Sequence, residues 1–298
     1  MLDKIREISE DVKINEEMKN HTTFRIGGPA DIFVSVKSAE EIIRILEACN
    51  ESKTPCMVMG NGSNMLVSDK GIRGVVIHVG SNMSGCRIDG ETVYAEAGIL
   101  MSALAKKILE AELTGFEFAA GIPGTLGGGI YMNAGAYGGE LKDIIDEVTY
   151  IDENNEIKTS KNDELEFGYR HSIFETGKYV ILSCTMKLKK GNFEEIKAQM
   201  ADYTKRRNDK QPVSMPSAGS TFKRPEGYFA GKLIQDCGLM GYSIGGAQVS
   251  EKHAGFVVNK GGATADNVLK LIEHIQKTVM DKFGVWLEPE VRLIGDKY

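Results

Sequence analysis

The stretch that most constrains this chain is Gly60-Asn61-Gly62-Ser63-Asn64, entered from the short apolar run Cys56-Met57-Val58-Met59. Glycines one residue apart allow backbone angles that a side chain forbids. Asn61, Ser63 and Asn64 add amide, hydroxyl and main-chain N–H groups to the same turn. Successive N–H groups in such a turn form a concave nest for an anion. A surface turn can have the same composition, so the pentapeptide does not decide alone. A second loop of the same kind follows: Gly121-Ile122-Pro123-Gly124-Thr125-Leu126-Gly127-Gly128-Gly129, then Asn133-Ala134-Gly135-Ala136-Tyr137-Gly138. Two such loops from neighbouring layers suit the pyrophosphate of a dinucleotide.

A chain of 298 residues has room for two or three domains and a large core. Lys and Arg number 36 against 42 Asp and Glu, a net charge of −6. That argues against a general nucleic-acid binder, which needs a basic face. A local basic pocket for a phosphorylated small molecule stays open. The 34 glycines cluster, so they mark specialised loops rather than disorder. Five scattered cysteines include no C-x-x-C pair, which argues against a disulfide framework and a metal site. The first residues carry no apolar run, and no window approaches the ~20 apolar residues of a membrane span. A cytoplasmic protein with no membrane partner is expected.

In chain order, residues 1 to about 19 read as a short charged helix and its exit. Residues 22–36 read as two strands around a glycine turn. Ser38-Ala39-Glu40-Glu41 is a capping box, with Ile42, Ile43, Leu46 and Cys49 following at helical spacing. Strands are expected at 56–59, 74–79 and 92–97, and a helix at 101–113. Strands return at 147–151 and 179–188, before a polar helix over 193–209 that stops ahead of Pro212. Its Lys205-Arg206-Arg207 is read as a solvated face, with Lys210 just beyond it. A short helix over 229–237, a strand-like 254–259, a long helix over 265–283 and a strand over 285–294 complete the reading.

The first loop has the G-x-G of a Rossmann fingerprint but lacks its third glycine. No helical pattern opens after it, since Met65-Leu66-Val67-Ser68 looks extended. Gly227-Tyr228-Phe229-Ala230-Gly231-Lys232 is one residue short of a P-loop and places Leu233 where Ser or Thr is needed. A dinucleotide carrying flavin, held by two glycine loops, remains.

Six stretches in order carry a resemblance. They are Asn20-His21-Thr22-Thr23-Phe24-Arg25-Ile26-Gly27-Gly28-Pro29-Ala30, the loop at 60–64, Gly121-Ile122-Pro123-Gly124-Thr125, Tyr169-Arg170-His171-Ser172, Gly219-Ser220-Thr221-Phe222-Lys223-Arg224-Pro225, and Glu288-Pro289-Glu290-Val291-Arg292. From about residue 20 onward the chain resembles the UDP-N-acetylenolpyruvoylglucosamine reductase (MurB) family. The resemblance implies an α+β chain with the FAD-binding fold of the vanillyl-alcohol-oxidase/PCMH type. Two α/β subdomains would grip FAD, and a C-terminal α/β domain would bind substrate. The implied division is 1–79 with 286–298, 80–205, and 206–285.

The implied activity is UDP-N-acetylmuramate dehydrogenase. NADPH reduces non-covalent FAD, and the flavin passes hydride to the enolpyruvyl ether of a UDP-sugar, for peptidoglycan synthesis. A monomer is expected. Such a site needs a fixed cation, a second polar group and an acid. The resemblance gives these roles to Arg170, Glu290 and Ser220. A guanidinium stays charged and grips a carboxylate with two hydrogen bonds; its plainer reading here is a surface ion pair. Ser220 needs neighbours to act as an acid, and its plainer reading is a turn serine. Glu290 is read on a buried strand, where a carboxylate is costly unless paired or protonated. Arg292, two residues on, would share its face. Cofactor-binding residues are implied at Gly60, Asn61, Gly62, Ser63, Asn64, Gly121, Gly124, Thr125, Gly127, Gly128, Asn133 and Ile181. Substrate-binding residues are implied at Tyr169, Lys210, Lys223, Arg224 and Arg292. Alternation would point Lys223 and Arg224 opposite ways.

One departure is legible. Some members insert a tyrosine clamp after the catalytic arginine; here the strand starting at Tyr179 follows Arg170 within ten residues. The chain resembles the short subgroup without it. The rival readings are an FAD-dependent oxidase of the same fold, which needs no Ser220–Glu290 pair, and a non-catalytic FAD-binding protein.

Overall fold

Val93 and Ala95 are buried between exposed Thr92 and Tyr94, the alternation of a half-covered strand, and that strand lies in the larger of two units. The computed structural model describes residues 1–295. One unit gathers Met1–Lys13, Ile32–Asn61 and Gly74–Arg206; the other gathers Ile14–Asp31, Gly62–Arg73 and 207–295. The chain elements begin with α1 (Leu2–Ile8), β1 (Val12–Glu17), β2 (Pro29–Ser35), α2 (Ala39–Ser52), β3 (Cys56–Met59), β4 (Met65–Val67) and β5 (Ile72–His78). Next come β6 (Cys86–Asp89), β7 (Thr92–Glu96), α3 (Met101–Glu110), α4 (Leu126–Tyr131), β8 (Ile145–Ile151), β9 (Ile157–Lys161) and β10 (Val180–Lys187). The chain closes with α5 (Phe193–Lys210), α6 (Ala230–Asp236), β11 (Ser243–Ile244), β12 (Ala247–Val249), β13 (Val257–Asn259), α7 (Ala265–Phe283) and β14 (Arg292–Ile294).

The larger unit is built on an antiparallel sheet of order β9-β8-β10-β7-β6. Its core joins Val93 and Ala95 to Leu104 and Ile108 of α3, Leu126 and Ile130 of α4, and Val148, Cys184 and Met186 of the sheet. In the same unit β3 runs parallel to β5, with Cys56 opposite Val75 and Met59 opposite His78. Helix α2 starts where expected: Ser38 Oγ accepts the Glu41 N–H at 3.1 Å. The Glu41 carboxylate takes the N–H of Lys37 at 2.9 Å, one residue upstream of the usual capping-box partner.

The smaller unit packs α6 and α7 with the short sheet β11-β12-β13. Val268, Leu271, Ile272, Ile275 and Val279 line the buried face of α7 at three- and four-residue spacing. Thr264 and Asn267 form a capping box at its start, and Gly284 ends it at φ +68°. Asp69 also receives the Ala265 and Asp266 N–H groups, at 2.8 and 3.0 Å, placing a carboxylate at the positive end of the helix dipole. In this unit β14 pairs parallel with β4, so the C-terminal strand returns to the segment after the first glycine loop.

Several expectations are corrected. Residues 12–17 form β1 rather than the exit of a helix. Residues 22–28 are not a strand: Arg25 is left-handed at φ +55°, and the turn it makes buries Phe24 and Ile26 in the smaller unit's core. The strand expected over 285–294 is confined to Arg292–Ile294. Helix α4 occupies the second half of the second glycine loop, and Lys210 is the last residue of α5 rather than beyond it. Strands β6 and β9 were not anticipated. No helix among the described residues is long and apolar enough to cross a membrane.

Candidate active site

Gly60 ends the apolar strand β3 and lies against the second glycine loop. A Cβ on Gly60 would fall 2.1 Å from Thr125 Oγ1. Asn61 reinforces the contact, its Nδ2 donating to the Pro123 carbonyl at 2.5 Å. On the other side of Thr125 the chain turns into α4. Gly127 donates its N–H to the Ala97 carbonyl at 2.8 Å, and a Cβ there would lie 2.9 Å from the Ala97 Cβ. Thr125 Oγ1 caps α4 by accepting the Gly128 N–H at 3.4 Å. Gly128 itself is exposed, Gly121 is half-buried, and the Gly124 carbonyl accepts the Met101 N–H. The two loops thus present one surface made of backbone. An anionic cofactor can approach such a surface closely, and the residues fit the pyrophosphate of FAD. Gly62, at φ +57°, takes a left-handed turn, and the chain passes into the smaller unit there.

Two residues implied as cofactor ligands have other work for their side chains. Asn133 is fully buried at φ +44°. Its Nδ2 donates to Glu140 Oε2 and to the Gly168 carbonyl, both at 2.9 Å, and its Oδ1 accepts the Lys142 N–H at 3.0 Å. A buried amide so occupied builds the loops. Ile181 lies buried in β10 opposite Tyr150.

The amide of Asn133 leads directly to Arg170. Gly168 and His171 exchange backbone hydrogen bonds at 3.0 and 3.3 Å, closing a tight turn with Tyr169 and Arg170 at its tip. Arg170 is left-handed at φ +53°, a conformation that costs a non-glycine residue about 1–3 kcal/mol and is kept where the surroundings enforce it. Those surroundings are Asn133 on Gly168 and buried Ser172, whose Oγ donates to the Tyr131 carbonyl at 2.7 Å. Arg170 Nη2 donates to the Gly135 carbonyl at 3.4 Å, and its guanidinium lies 5.2 Å from the Tyr169 ring centre. Tyr169 is 55% exposed.

The smaller unit carries Ser220 and Glu290 on a closed ring of hydrogen bonds. The Thr23 N–H donates to the Gly62 carbonyl at 3.4 Å, and the Thr23 hydroxyl to the Ser217 carbonyl at 2.7 Å. Thr221, next to Ser220, accepts the Glu290 N–H on its carbonyl at 2.8 Å. Asn64 Nδ2 donates to the Glu290 carbonyl at 3.1 Å, which returns the ring to the first glycine loop. Asn64 therefore spends a side-chain donor on Glu290, a role its assignment to the cofactor did not foresee. Glu290 is half-buried and lies before β14, so the buried strand expected around it is not there. Ser220 is exposed, after Gly219 at φ +78°.

The implied substrate residues divide. Lys223 Nζ meets Glu288 Oε1 at 2.5 Å, whereas Arg224 lays its guanidinium 4.0 Å from the Phe229 ring centre. The two neighbours do point to different partners. Arg292 is half-buried and donates its N–H to the Asn64 carbonyl at 3.0 Å. Lys210 is exposed at the end of α5 and acts on His253. His253 is a site neighbour that no sequence motif marks. Burial, with help from the Lys210 charge, holds its pKa below the ordinary histidine value. Its Nδ1 accepts the Gly255 N–H at 3.1 Å.

This fold and cradle define an FAD-binding oxidoreductase of α+β type, its flavin fold followed by an α/β substrate domain. A family model described as FAD binding domain matches residues 30–161. A second, described as UDP-N-acetylenolpyruvoylglucosamine reductase, C-terminal domain, matches residues 211–294. The reductase of that name from Caldanaerobacter subterraneus subsp. tengcongensis is 52% identical over 299 residues, 100% of this chain and 99% of the relative. That from Alkaliphilus metalliredigens is 53% identical, covering 96% of this chain and 94% of the relative. The crystal structure of the MurB protein from Thermus caldophilus superposes with a TM-score of 0.83 at 34% identity, over 95% of this chain and 98% of that one. The chain belongs to the UDP-N-acetylenolpyruvoylglucosamine reductase family.

Proposed function

We propose that this chain is the NADPH-dependent flavoenzyme that reduces the enolpyruvyl ether of UDP-N-acetylenolpyruvoylglucosamine to UDP-N-acetylmuramate, for peptidoglycan synthesis. It works in the cytoplasm as a monomer, on small molecules rather than on nucleic acid or membrane. The net charge of −6 supports the absence of a nucleic-acid partner. The carrying observation is the ring that ties Ser220 and Glu290 to residues 62–64 of the flavin loop.

The chemistry that bound FAD supplies is hydride relay, from NADPH to the enolpyruvyl group. Gly60, Asn61, Gly62, Ser63, Gly124, Thr125, Gly127 and Gly128 hold it through backbone and small polar groups. Arg170 takes the substrate carboxylate, where negative charge builds as hydride arrives. A turn that fixes its guanidinium beforehand avoids reorganisation during the reaction. Ser220 donates the proton that completes reduction, and Glu290 faces the same developing enol. Lys210, Lys223, Arg224, Arg292 and Tyr169 hold the UDP-sugar. The ligand-binding division is 1–79 with 286–298 and 80–205 for FAD, and 206–285 for substrate.

The test begins with purified protein mixed with NADPH and then with substrate, following flavin absorbance. Bleaching by NADPH and recovery with substrate are expected. Ser220→Ala keeps normal bleaching but slows product formation by roughly 10²–10⁴, the contribution of a positioned general acid. A Ser220→Ala enzyme that makes product at the parent rate would move the proton to another donor. Failure of the bleaching step would instead place Ser220 in nucleotide binding.

A further inference from the structure

We propose that Thr23 is a positioning residue for the proton transfer, a role resting on the reading of Ser220 as the donor. Ser220 is the last residue of a short arch. The far foot of the arch is Thr221, whose N–H donates to the Gly255 carbonyl at 2.8 Å and whose hydroxyl accepts the Val257 N–H at 2.9 Å. The near foot is Ser217, bridged to Val258 and capped on its carbonyl by the Thr23 hydroxyl. Between the feet, Ala218 is buried and Gly219 takes the left-handed turn that brings Ser220 out to solvent. The feet fix the arch within its own sheet. Thr23 also ties it to the flavin loop, because the same residue gives its N–H to Gly62.

Thr23 is itself held. Thr22 Oγ1 donates to the Ile26 carbonyl at 3.2 Å, and Asn259 Nδ2 reaches the Phe24 and Arg25 carbonyls at 3.2 and 3.4 Å. The backbone on both sides of Thr23 is therefore anchored, and its hydroxyl meets the Ser217 carbonyl from that base. A proton donor must stand within hydrogen-bond reach of the carbon it serves, and that carbon is placed by the cofactor it has just met. One threonine referring the donor's arch to the cofactor's loop meets that need. Loss of its hydroxyl leaves both feet standing but removes this direct tie between them and the loop.

The experiment compares Thr23→Val, which keeps shape and backbone N–H but lacks the hydroxyl, with Thr23→Ser, which restores the donor. Ser220→Ala runs alongside. Flavin content, melting temperature, the rate of flavin reduction by NADPH, and single-turnover product formation from pre-reduced enzyme are measured for each. Thr23→Val should keep its flavin and its NADPH step. Product formation should fall about 3- to 10-fold, the size of one net intramolecular hydrogen bond. The loss should lie in kcat rather than KM, with a larger solvent deuterium isotope effect, and Thr23→Ser should return both to parent values. Parent-rate product formation by Thr23→Val beside a slow Ser220→Ala overturns the role of Thr23 alone. Parent-rate product formation by Ser220→Ala overturns the proton-donor reading beneath it. Equal loss of flavin, melting temperature and both half-reactions, unrescued by serine, overturns it too, since Thr23 would then only hold the fold.

Discussion

At Gly60 the contact with Thr125 gives a direct prediction. In Gly60→Ala the added methyl would meet Thr125 Oγ1 at 2.1 Å, with Cβ and Cγ2 at 3.2 and 3.3 Å, so Thr125 must shift and give up its cap on α4. Overpacking of this kind costs about 1–3 kcal/mol, here borne by the cradle. Gly60→Ala should purify with little flavin, and adding Thr125→Ala should return part of it. Unchanged flavin content would mean the two loops do not act together. Cys56 makes a second case. Interaction with the buried Cys49 thiol lowers Cys56 to about 7 and pushes Cys49 up. Iodoacetamide labelling of exposed Cys56, followed by peptide mass spectrometry, should rise with pH with its midpoint near 7. An ordinary thiol has its midpoint near 8.5. Cys49→Ala should move that midpoint upward; a midpoint that stays put would remove Cys49 as the cause. Residue chemistry was legible where it depends on type alone, as in the glycines and Arg170. The partners of Asn64, Asn133 and Thr23 lie 226, 35 and 194 residues away, and no local pattern announces them.

Elements were legible where one face is buried and one is not. Helix α7 repeats its apolar residues at helical spacing between a capping box and a glycine stop, and it runs over the expected 265–283. The strands that escaped notice are those with little buried face. In β9 four of five residues are exposed, and in β1 none is buried. The β-forming residues at 22–26 misled in the opposite sense, because tertiary burial of Phe24 and Ile26 overrode local preference. The turn carrying Arg170 shows how an element is enforced from outside itself. Asn133→Asp would replace the amide donor with a carboxylate facing Glu140 Oε2 and the Gly168 carbonyl, each now 2.9 Å away. The lost donor alone should cost roughly 1–3 kcal/mol, and like-charge repulsion adds to it. The new carboxyl, raised above its unfolded value, binds protons more tightly in the folded state. Its penalty is therefore full at neutral pH and shrinks as pH falls toward about 4. Thermal denaturation of variant and parent across that range should show the gap closing. A pH-independent gap would rule out the contact with Glu140.

Across the whole molecule, the chain passes between the two units five times: after Lys13, Asp31, Asn61, Arg73 and Arg206. The third passage splits the flavin loop, leaving Gly60 and Asn61 with one core and Gly62, Ser63 and Asn64 with the other. Each half has its own anchor. Gly60 and Asn61 meet Thr125 and Pro123; Gly62 and Asn64 meet Thr23 and Glu290. A ligand that binds the folded chain on that loop should stabilise it. Stabilisation follows RT ln(1 + [L]/Kd), about 2.7 kcal/mol at a hundredfold excess over Kd. The second loop supplies the discrimination. FAD carries a pyrophosphate and an adenosine half that FMN lacks, and the backbone surface of Gly60, Thr125 and Gly128 suits the pyrophosphate rather than the flavin ring. Protein stripped of flavin should therefore melt higher with each increment of FAD. FMN at the same concentrations should shift the melting temperature far less. Equal shifts with FMN and FAD would show that the glycine loops do not read the pyrophosphate.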